Sequence, residues 1–431
     1  MKFPSFRFLP LWQQEGVNEK HAREKKRQRE AAEEARRRRV FLFGYLAIML
    51  EKERQNLRYR DFLTLEGVIR RDRRIPRVAL VDPATSPWEK VYQSGNDQAM
   101  ITVTALDQTA FRNLLKLFRP FFYNYTPWTG NKDGSTYVRV VRGANRRTGR
   151  PRLVKASSCL GLSLAWYRFK GAEFILQGWF GFTGTHANVW LKFGRRMLIK
   201  VLLKLQAARV TMPSEETVAE HMRRVEARHP ALQNVYCVAD GLKLYFESCD
   251  GLSEQSMFYN GWQHDHYISN LFVFSIDGQI ISCVVNAPGS VHDSTLAYWG
   301  KIYDILEAMY ERTGGICCVD SAFMANDDVP FLIKSAQDVS KARSADEMVK
   351  MQQATSLRQA AEWGMRAIQG AFPRSKERFH YEENGERKVY VTLLCLLYNY
   401  RIETVGLNQI RTVYVPEWQK DRDITDIYGS W

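Results

Sequence analysis

Two apolar stretches separated by a three-residue turn constrain the fold of this chain more than any other feature. Tyr267 to Ser275 and Gln279 to Asn286 are rich in aliphatic and aromatic residues, and Ile276-Asp277-Gly278 joins them. An Asp-Gly pair between two such stretches is a strong hairpin signal. We therefore expect a pair of antiparallel strands here.

The segments around this hairpin alternate between strand-like and helix-like patterns. Short apolar runs predict strands, and apolar residues spaced three and four apart predict helices. The strands are expected over residues 234–239, 243–247 and 315–319, and the helices over residues 214–228, 294–312, 353–372 and 388–404. This order predicts a mixed α/β domain, in which helices flank a mixed sheet.

Three helical segments precede the sheet. They cover residues 160–169, 172–180 and 185–205, and Thr183 or Thr185 is expected to cap the third. Two short helices, a turn and a longer helix are typical of a helix-turn-helix, whose last helix reads DNA. The DNA contacts would then include His186, Asn188 and Lys192. A small helical bundle gives a similar pattern, so both interpretations stay open.

The charge is strongly positive and is concentrated in two stretches. Lys and Arg number 62 against 47 Asp and Glu, a net charge of +15, which favours a polyanionic partner. Residues 20–39 predict a solvated helix or a flexible arm, and their Lys/Arg runs suggest nuclear import or phosphate contacts. Residues 139–155 carry seven Lys/Arg and no acid. In that loop we expect DNA-phosphate contacts from Arg146, Arg147, Arg150 and Arg152.

Membrane and secreted classes fit the sequence poorly. The longest apolar run, Phe41 to Leu50, is ten residues, about half of what a spanning helix needs. The first residues show no secretory signal. The seven cysteines form no Cys-x-x-Cys pair, and their number is odd. A zinc ribbon and a disulfide scaffold are therefore disfavoured, and a reducing compartment is expected.

Four acids follow strands or lie on a helix that can cover them. Asp240 is expected to end the first strand, Asp293 to begin a helix, Asp320 to end a later strand and Glu362 to lie on the long helix. Acids at the ends of adjacent strands can share one crevice. Such a group would bind Mg²⁺ or Mn²⁺, and two ions could clamp a phosphodiester.

Each acid also has a purely structural interpretation. Asp240-Gly241 is a favourable turn pair, Asp293 or Ser294 is a favourable helix cap, and Arg358 and Glu362 are spaced for an ion pair along a helix.

Several phrases resemble the PIF/Harbinger transposases and the Harbinger-derived nucleases of the DDE superfamily of endonucleases. The similarity covers roughly residues 150–404. It is carried, in chain order, by Val238-Ala239-Asp240-Gly241, Tyr259-Asn260-Gly261-Trp262, Pro288-Gly289-Ser290-Val291-His292-Asp293-Ser294, Val319-Asp320-Ser321-Ala322-Phe323, Arg358-x-x-x-Glu362 and Leu397-Tyr398-Asn399-Tyr400. The sequence departs from the family pattern at Val319 and Phe323, where the family has Gly and Tyr, and at Met365-Arg366, where it has Phe-Gly.

The resemblance implies an RNase H-like nuclease domain preceded by the helix-turn-helix region. It implies that Asp240, Asp293 and Glu362 are the catalytic acids and that Asp320 is an additional metal ligand. The expected cofactor is Mg²⁺ or Mn²⁺, as two ions. The expected substrate is double-stranded DNA at transposon ends, cut by hydrolysis and rejoined by the freed 3′-hydroxyl. A Myb-like partner protein is also implied. Separately from the resemblance, we expect a homo-oligomer and, from the short apolar runs, no membrane association.

Two other functions remain open at this stage. One is a domesticated, non-catalytic DNA-binding or chromatin protein that keeps the transposase fold, and the other is a ribonuclease acting on RNA–DNA hybrids.

The sequence divides into five expected segments. They are a basic helical arm (1–60), a region ending in the basic loop (61–156), the helix-turn-helix region (157–230), the nuclease domain (231–405) and a tail (406–431).

Overall fold

The computed structural model of the chain describes residues 26–27, 29–38, 43–44, 49–58, 61, 75–128, 137–140, 152–247, 252–323, 329–335, 344–378 and 384–415. They belong to two compact units, one within Met1–Asp72 and one within Arg73–Trp431. The expected DNA contacts Arg146, Arg147 and Arg150 lie outside the described residues. The five-segment division stays a prediction.

In the first unit, the basic stretch is helical at residues 29–38, and residues 49–58 are helical as well. Its side chains are exposed and paired along the helix, with Arg37 Nη2 3.2 Å from Glu33 Oε1 and Arg38 Nη2 2.6 Å from Glu34 Oε1. Exposed pairs with this spacing each contribute about 0.3–0.5 kcal/mol. Residues 29–38 therefore form the solvated helix that was one of the two expectations for this stretch.

Three helices, for which no bounds were predicted, lie near the start of the second unit. Their first turns are capped by the side chains of Ser86, Asn96 and Asp107, each of which accepts a hydrogen bond from a backbone amide. Trp88 is fully buried among them. The elements are α1 (Pro87–Ser94), α2 (Asp97–Thr104) and α3 (Gln108–Asn124), followed by the antiparallel ribbon β1 (Tyr125–Trp128) and β2 (Tyr137–Val140).

Helices occur at all three positions predicted before the sheet. They are α4 (Ala156–Arg168), α5 (Phe174–Phe180) and α6 (Gly184–Leu202). Thr183 is the residue that precedes α6, but its side chain makes no capping hydrogen bond. Most residues of α6 from Trp190 onward are buried. A helix-turn-helix function for these three helices stays a prediction.

The sheet confirms the mixed α/β class and the central hairpin. Its strands are β3 (Val235–Tyr245), β4 (Tyr259–Asn260), β5 (Asp265–Ser275), β6 (Ile280–Pro288), β7 (Ile316–Val319) and β8 (Leu332–Lys334). Strand β5 pairs antiparallel with β3 on one side and with β4 and β6 on the other. Strands β3, β7 and β8 are parallel. The β5–β6 hairpin turns at Ile276-Asp277-Gly278, as predicted.

One strand, β3, runs through the position where the sequence predicted an end. Asp240 lies in the middle of β3 and pairs with Phe272 of β5, and Gly241 pairs with Leu271. The two strands expected on either side of Asp240-Gly241 are therefore one, and the turn interpretation of this pair is wrong. The reason is that β5 has eleven residues and supplies partners along both halves of β3, and this pairing overrides the local turn preference.

Helices cover both faces of the sheet. They are α7 (Glu215–Arg228, capped by Ser214), α8 (Leu252–Phe258), α9 (Asp293–Trp299), α10 (Ile302–Thr313), α11 (Ala345–Ala371), α12 (Asn384–Val405) and α13 (Gln409–Tyr414). The single helix expected over residues 294–312 is two. Gly300 lies so close to β6 that a Cβ there would be 2.0 Å from Val284 Cγ2, and Lys301 has a φ of 56°.

The alternation of side chains along β3 decides which face each residue meets. Cys237 and Ala239 belong to the buried cluster that contains Leu296 of α9, whereas Val238 and Leu242 belong to the cluster that contains Leu357 of α11. Successive side chains of a strand point to opposite faces. Asp240 therefore faces α11, and position 241 faces α9.

Helix α12 fastens the hairpin to the rest of the unit. The Asn399 side chain accepts from the Ile280 amide at 2.8 Å and donates to the Ile280 carbonyl at 2.8 Å. The Tyr398 hydroxyl donates to the Gly278 carbonyl at 3.0 Å. These buried hydrogen bonds give the Leu-Tyr-Asn-Tyr phrase a structural role.

None of the helices in the described ranges is both long and apolar enough to cross a membrane. Six cysteines are described, and all are free thiols: Cys159, Cys237, Cys283, Cys317, Cys318 and Cys395.

Candidate active site

Two aspartates lie side by side where strand β7 ends. The last parallel pair between β3 and β7 joins Ala239 to Val319, and an aspartate follows each of them. Cys318, two residues before Asp320, contacts α11, with its Sγ 3.5 Å from the Ala354 carbonyl oxygen. Asp240 and Asp320 thus occupy equivalent positions on neighbouring strands, next to the helix that carries Glu362.

Asp293 reaches the same region from the other face. It is the first residue of α9, and its carboxylate packs directly on the backbone of β3. A Cβ on Gly241 would lie 2.7 Å from Asp293 Oδ2, so only glycine leaves room for this carboxylate. Because position 241 faces α9 and Asp240 faces α11, the two carboxylates approach β3 from opposite sides.

The loop between β6 and Asp293 is fixed by two close contacts. A Cβ on Gly289 would lie 2.3 Å from the Tyr267 carbonyl oxygen, so the loop runs against β5. The Asn260 side-chain amide donates to the Gly289 carbonyl at 2.8 Å. The Tyr-Asn and Pro-Gly phrases of the sequence therefore meet in space and together position the start of α9.

Glu362 is linked to Asp240 through an arginine on its own helix. Arg358 Nη2 donates to Glu362 Oε1 at 3.0 Å, and Arg358 Nη1 donates to Asp240 Oδ2 at 3.4 Å. Helix α11 lies tightly on the sheet, since a Cβ on Gly364 would be 2.8 Å from Phe274 Cε1. The ion pair expected between Arg358 and Glu362 is present, and the guanidinium also bridges to the sheet.

The electrostatics of the site reflect buried carboxylates that lie close together. Burial, with smaller contributions from Asp320 and Asp293, raises the pKa of Asp240 to about 6, although the Gly241 amide and Arg358 act in the opposite direction. The pKa of Asp293 is also raised, chiefly by burial and further by Asp320, against the opposing charge of Lys243. Negative charge is thus concentrated here and only partly neutralised by the protein.

The chemistry of this cluster fits a hard divalent cation. Carboxylate oxygens are the ligands that Mg²⁺ and Mn²⁺ prefer, and a bound cation would favour the ionised form of Asp240, which burial and, to a smaller degree, the neighbouring carboxylates disfavour. The candidate ligands are Asp240, Asp293, Asp320 and Glu362. Among the residues that the structure describes, no three His, Cys, Asp or Glu side chains are arranged to hold one ion. The Arg358 guanidinium lies between two of the candidates.

Arg152 is the one member of the expected basic loop contacts that the structure describes. Its guanidinium donates to the carbonyl oxygens of Phe122 and Tyr125, the latter at 2.7 Å, and packs over the Phe122 ring at 5.0 Å and the Trp190 ring at 5.8 Å. These contacts join the end of α3 to α6. The guanidinium therefore has a structural role, and its role in phosphate binding stays a prediction.

The predicted reading residues lie near the start of α6. Asn188 is exposed, whereas His186 and Lys192 are half-buried. Against the effect of burial, a hydrogen bond from Arg196 lowers the pKa of Glu386, and the charges of Arg195, Arg196 and Lys192 lower it further. Contacts of these three residues with DNA stay a prediction.

Two cationic residues at the site, Arg358 and Lys243, were not among the predicted site residues. Arg358 was predicted as the helix ion-pair partner of Glu362 and as part of the Arg358-x-x-x-Glu362 phrase, and the sequence contains no signal that it also reaches Asp240. Lys243 shares a face of β3 with position 241, beside Asp293, and recognising β3 as one strand would have revealed this. Phe323, a departure from the family pattern, is 2% exposed and packs in the core.

Residues 239–399 match the family model described as DDE superfamily endonuclease. The match begins in β3 and ends in α12, so it includes all four candidate acids, and it covers less than half of the chain. It points to a nuclease of the transposase type. The searches of curated proteins and of solved structures found no match.

Proposed function

We propose that this chain is a metal-dependent DNA endonuclease of the transposase type. The observation that carries the proposal is the placement of Asp240 beside Asp320, next to the helix bearing Glu362, within the segment that matches DDE superfamily endonucleases. Asp240 lies within β3, Asp320 directly follows β7 and Glu362 lies on the covering helix, so their carboxylates form a group of candidate oxygen ligands. Such a cluster suits phosphodiester cleavage.

In this proposal Asp240, Asp320 and Glu362 hold the metal on the α11 side of β3, and Asp293 contributes from the α9 side. When bound, two divalent ions would supply the positive charge that a reacting phosphodiester requires. The protein contributes rigidity, because Asp240 lies inside a paired strand and Gly241 and Gly289 fix the approach of Asp293. From the sequence, Asp293 was expected to be a catalytic acid and Asp320 an additional metal ligand. The position of Asp320 beside Asp240 favours Asp320 as the more important of the two for catalysis.

The proposed substrate is double-stranded DNA. The net charge of +15 and the basic stretch at residues 139–155 favour a polyanion, and an exposed Asn188 near the start of α6 is available for contact. The sequence resemblance adds finer assignments to this proposal. They are the PIF/Harbinger type, action at transposon ends with strand transfer, a Myb-like partner, self-association and nuclear localisation. Inverted repeats and a Myb-like reading frame beside the gene would support these finer assignments.

The proposal is tested by nicking of supercoiled plasmid with Mg²⁺ or Mn²⁺. We expect the full-length chain to cleave the plasmid and chelator to abolish this cleavage. The variants Asp240→Asn and Glu362→Gln should each be inactive. Glu307→Gln, which changes an exposed acid on α10, is the matched control and should cleave normally. Full activity of both site variants would refute the proposal.

The cleavage assay, together with a measurement of DNA binding, separates the other functions. DNA binding that is indifferent to chelator, with no cleavage product from any variant, would identify a non-catalytic DNA-binding protein. Preferential cleavage of an RNA–DNA hybrid over duplex DNA would identify a ribonuclease.

A further inference from the structure

Arg358 occupies the space between two of the proposed metal ligands. It approaches Asp240 Oδ2 at 3.4 Å with one terminal nitrogen and Glu362 Oε1 at 3.0 Å with the other. Its side chain is 25% exposed, compared with 16% for Asp240 and 37% for Glu362. The guanidinium is therefore partly exposed to solvent at the edge of the site.

A metal ion would bind these carboxylate oxygens at a shorter distance than the guanidinium does. Mg²⁺ binds carboxylate oxygens at about 2.1 Å, whereas the arginine nitrogens lie 3.0 and 3.4 Å from theirs. A second cation placed near the guanidinium would also be repelled by it. A metal ion that bound Asp240 Oδ2 and Glu362 Oε1 would therefore compete with Arg358 for these two oxygens.

Arg366 provides a comparison on the same helix. Its Nη2 lies 3.8 Å from Glu362 Oε2, and its side chain is 75% exposed. Arg366 contacts the other oxygen of the same carboxylate, and no contact with Asp240 is seen among its described interactions. The two arginines are therefore alike in charge and in their spacing of four residues from Glu362, but only Arg358 bridges to the sheet.

We propose that Arg358 is a positioning residue that acts as an internal cation, holding Asp240 and Glu362 together before metal binds and competing with the first divalent ion for them. This inference rests on the proposed function, since it takes these two acids as metal ligands. It assigns Arg358 a role in setting metal affinity, in addition to its ion pair along the helix.

The experiment measures Mn²⁺ binding to the full-length chain by isothermal titration calorimetry, without DNA. We expect Arg358→Gln to bind Mn²⁺ about threefold to tenfold more tightly than the wild type, because the competing partner of two partly exposed ion pairs is gone. Arg366→Gln should change the affinity less than twofold, and Asp240→Asn should abolish binding. In chelator, Arg358→Gln should melt at a lower temperature, and Mn²⁺ should raise its melting temperature more than that of the wild type.

A purely structural role for Arg358 predicts a different result. Arg358→Gln would then lose stability without a gain in affinity, and an unchanged or weaker dissociation constant overturns the inference. If Arg358→Gln does not fold, Arg358→Lys replaces it. Lysine keeps the charge but cannot bridge both carboxylates as a fork does, so its affinity should still exceed that of the wild type.

The two proposals fail in distinguishable ways. Mn²⁺ binding by the wild type with the same affinity in Arg358→Gln overturns the role of Arg358 and leaves the metal site standing. Absence of Mn²⁺ binding by the wild type and by every variant overturns both. Binding by Arg358→Gln alone would support both, because it would show that the arginine suppresses an intact site.

Discussion

Asp240 and Asp320 each follow the last hydrogen-bonded residue of a parallel strand pair, Ala239 with Val319. In a parallel pair, residues at equivalent register positions point to the same face. Two carboxylates are thus adjacent at the point where β7 stops and β3 continues. This relationship predicts that Asp320 is more important for cleavage than Asp293, and the activities of single variants can test it.

Asp320→Asn should reduce plasmid nicking more than Asp293→Asn does. Removing one group that stabilises charge in a transition state typically costs about a hundredfold or more in rate, and we expect that loss for Asp320→Asn. We expect a smaller loss, about tenfold by the same reasoning, for Asp293→Asn, whose carboxylate lies across β3 from Asp240. Initial nicking rates on folded proteins provide the measurement. If Asp293→Asn lost as much activity as Asp320→Asn or more, the greater importance of Asp320 for cleavage would be refuted.

Gly241→Ala should impair cleavage although it adds only one methyl group. Its Cβ would lie 2.7 Å from Asp293 Oδ2, and the carboxylate would have to move. Overpacking of this kind costs about 1–3 kcal/mol of stability, and we expect nicking to fall as well. Gly178→Ala is the control, since nothing lies within 4 Å of its Cβ. If Gly241→Ala cleaves as fast as Gly178→Ala, the position of Asp293 has no importance for the reaction.

Arg152→Ala should destabilise the protein. Two hydrogen bonds to backbone carbonyls and contacts with two aromatic rings would be lost, and we expect a decrease of about 1–3 kcal/mol in the free energy of unfolding. Urea denaturation measures this, with exposed Lys170→Ala as the control. An unchanged stability combined with a shallower salt dependence of DNA binding would instead support the phosphate contact predicted from sequence.

His229 should make the protein less stable in mild acid. Burial, and to a lesser degree the charge of Arg228, lowers the pKa of His229, which also lies 3.1 Å from the Tyr414 hydroxyl. The unfolded chain therefore takes up a proton before the folded protein does. Stability is consequently lost as the pH falls below the ordinary histidine pKa of about 6.5.

Unfolding in urea at pH 7.5 and pH 5.5, in chelator, tests this. The wild type should lose more stability on acidification than His229→Gln does. His264→Asn, which changes an exposed histidine, should behave like the wild type. An identical loss in wild type and His229→Gln would show that other groups cause the acid sensitivity.

Local patterns were sufficient for several elements of the fold. The Asp277-Gly278 turn and the sequence around Ser214 depend on neighbouring residues, so the hairpin and the helix α7 were predicted close to their observed bounds. The apolar spacing predicted the end of α11 but placed its start at residue 353, eight residues after the observed start at Ala345. The same reasoning failed at Asp240-Gly241, where pairing with β5 overrode a turn signal, and at Gly300, where close approach to β6 ended a helix early. Both errors arise from contacts between segments distant in sequence.

The sequence by itself determined the residue types at the candidate site, the central hairpin and several of the helices around the sheet, and the excess of positive charge. Only the tertiary structure decided that Asp320 stands beside Asp240, that Asp293 crosses over Gly241, and that Arg358 bridges β3 and α11. The reason is physical. Strand register and the approach of a helix to a sheet are set by packing across the whole unit, whereas sequence patterns report on residues a few positions apart.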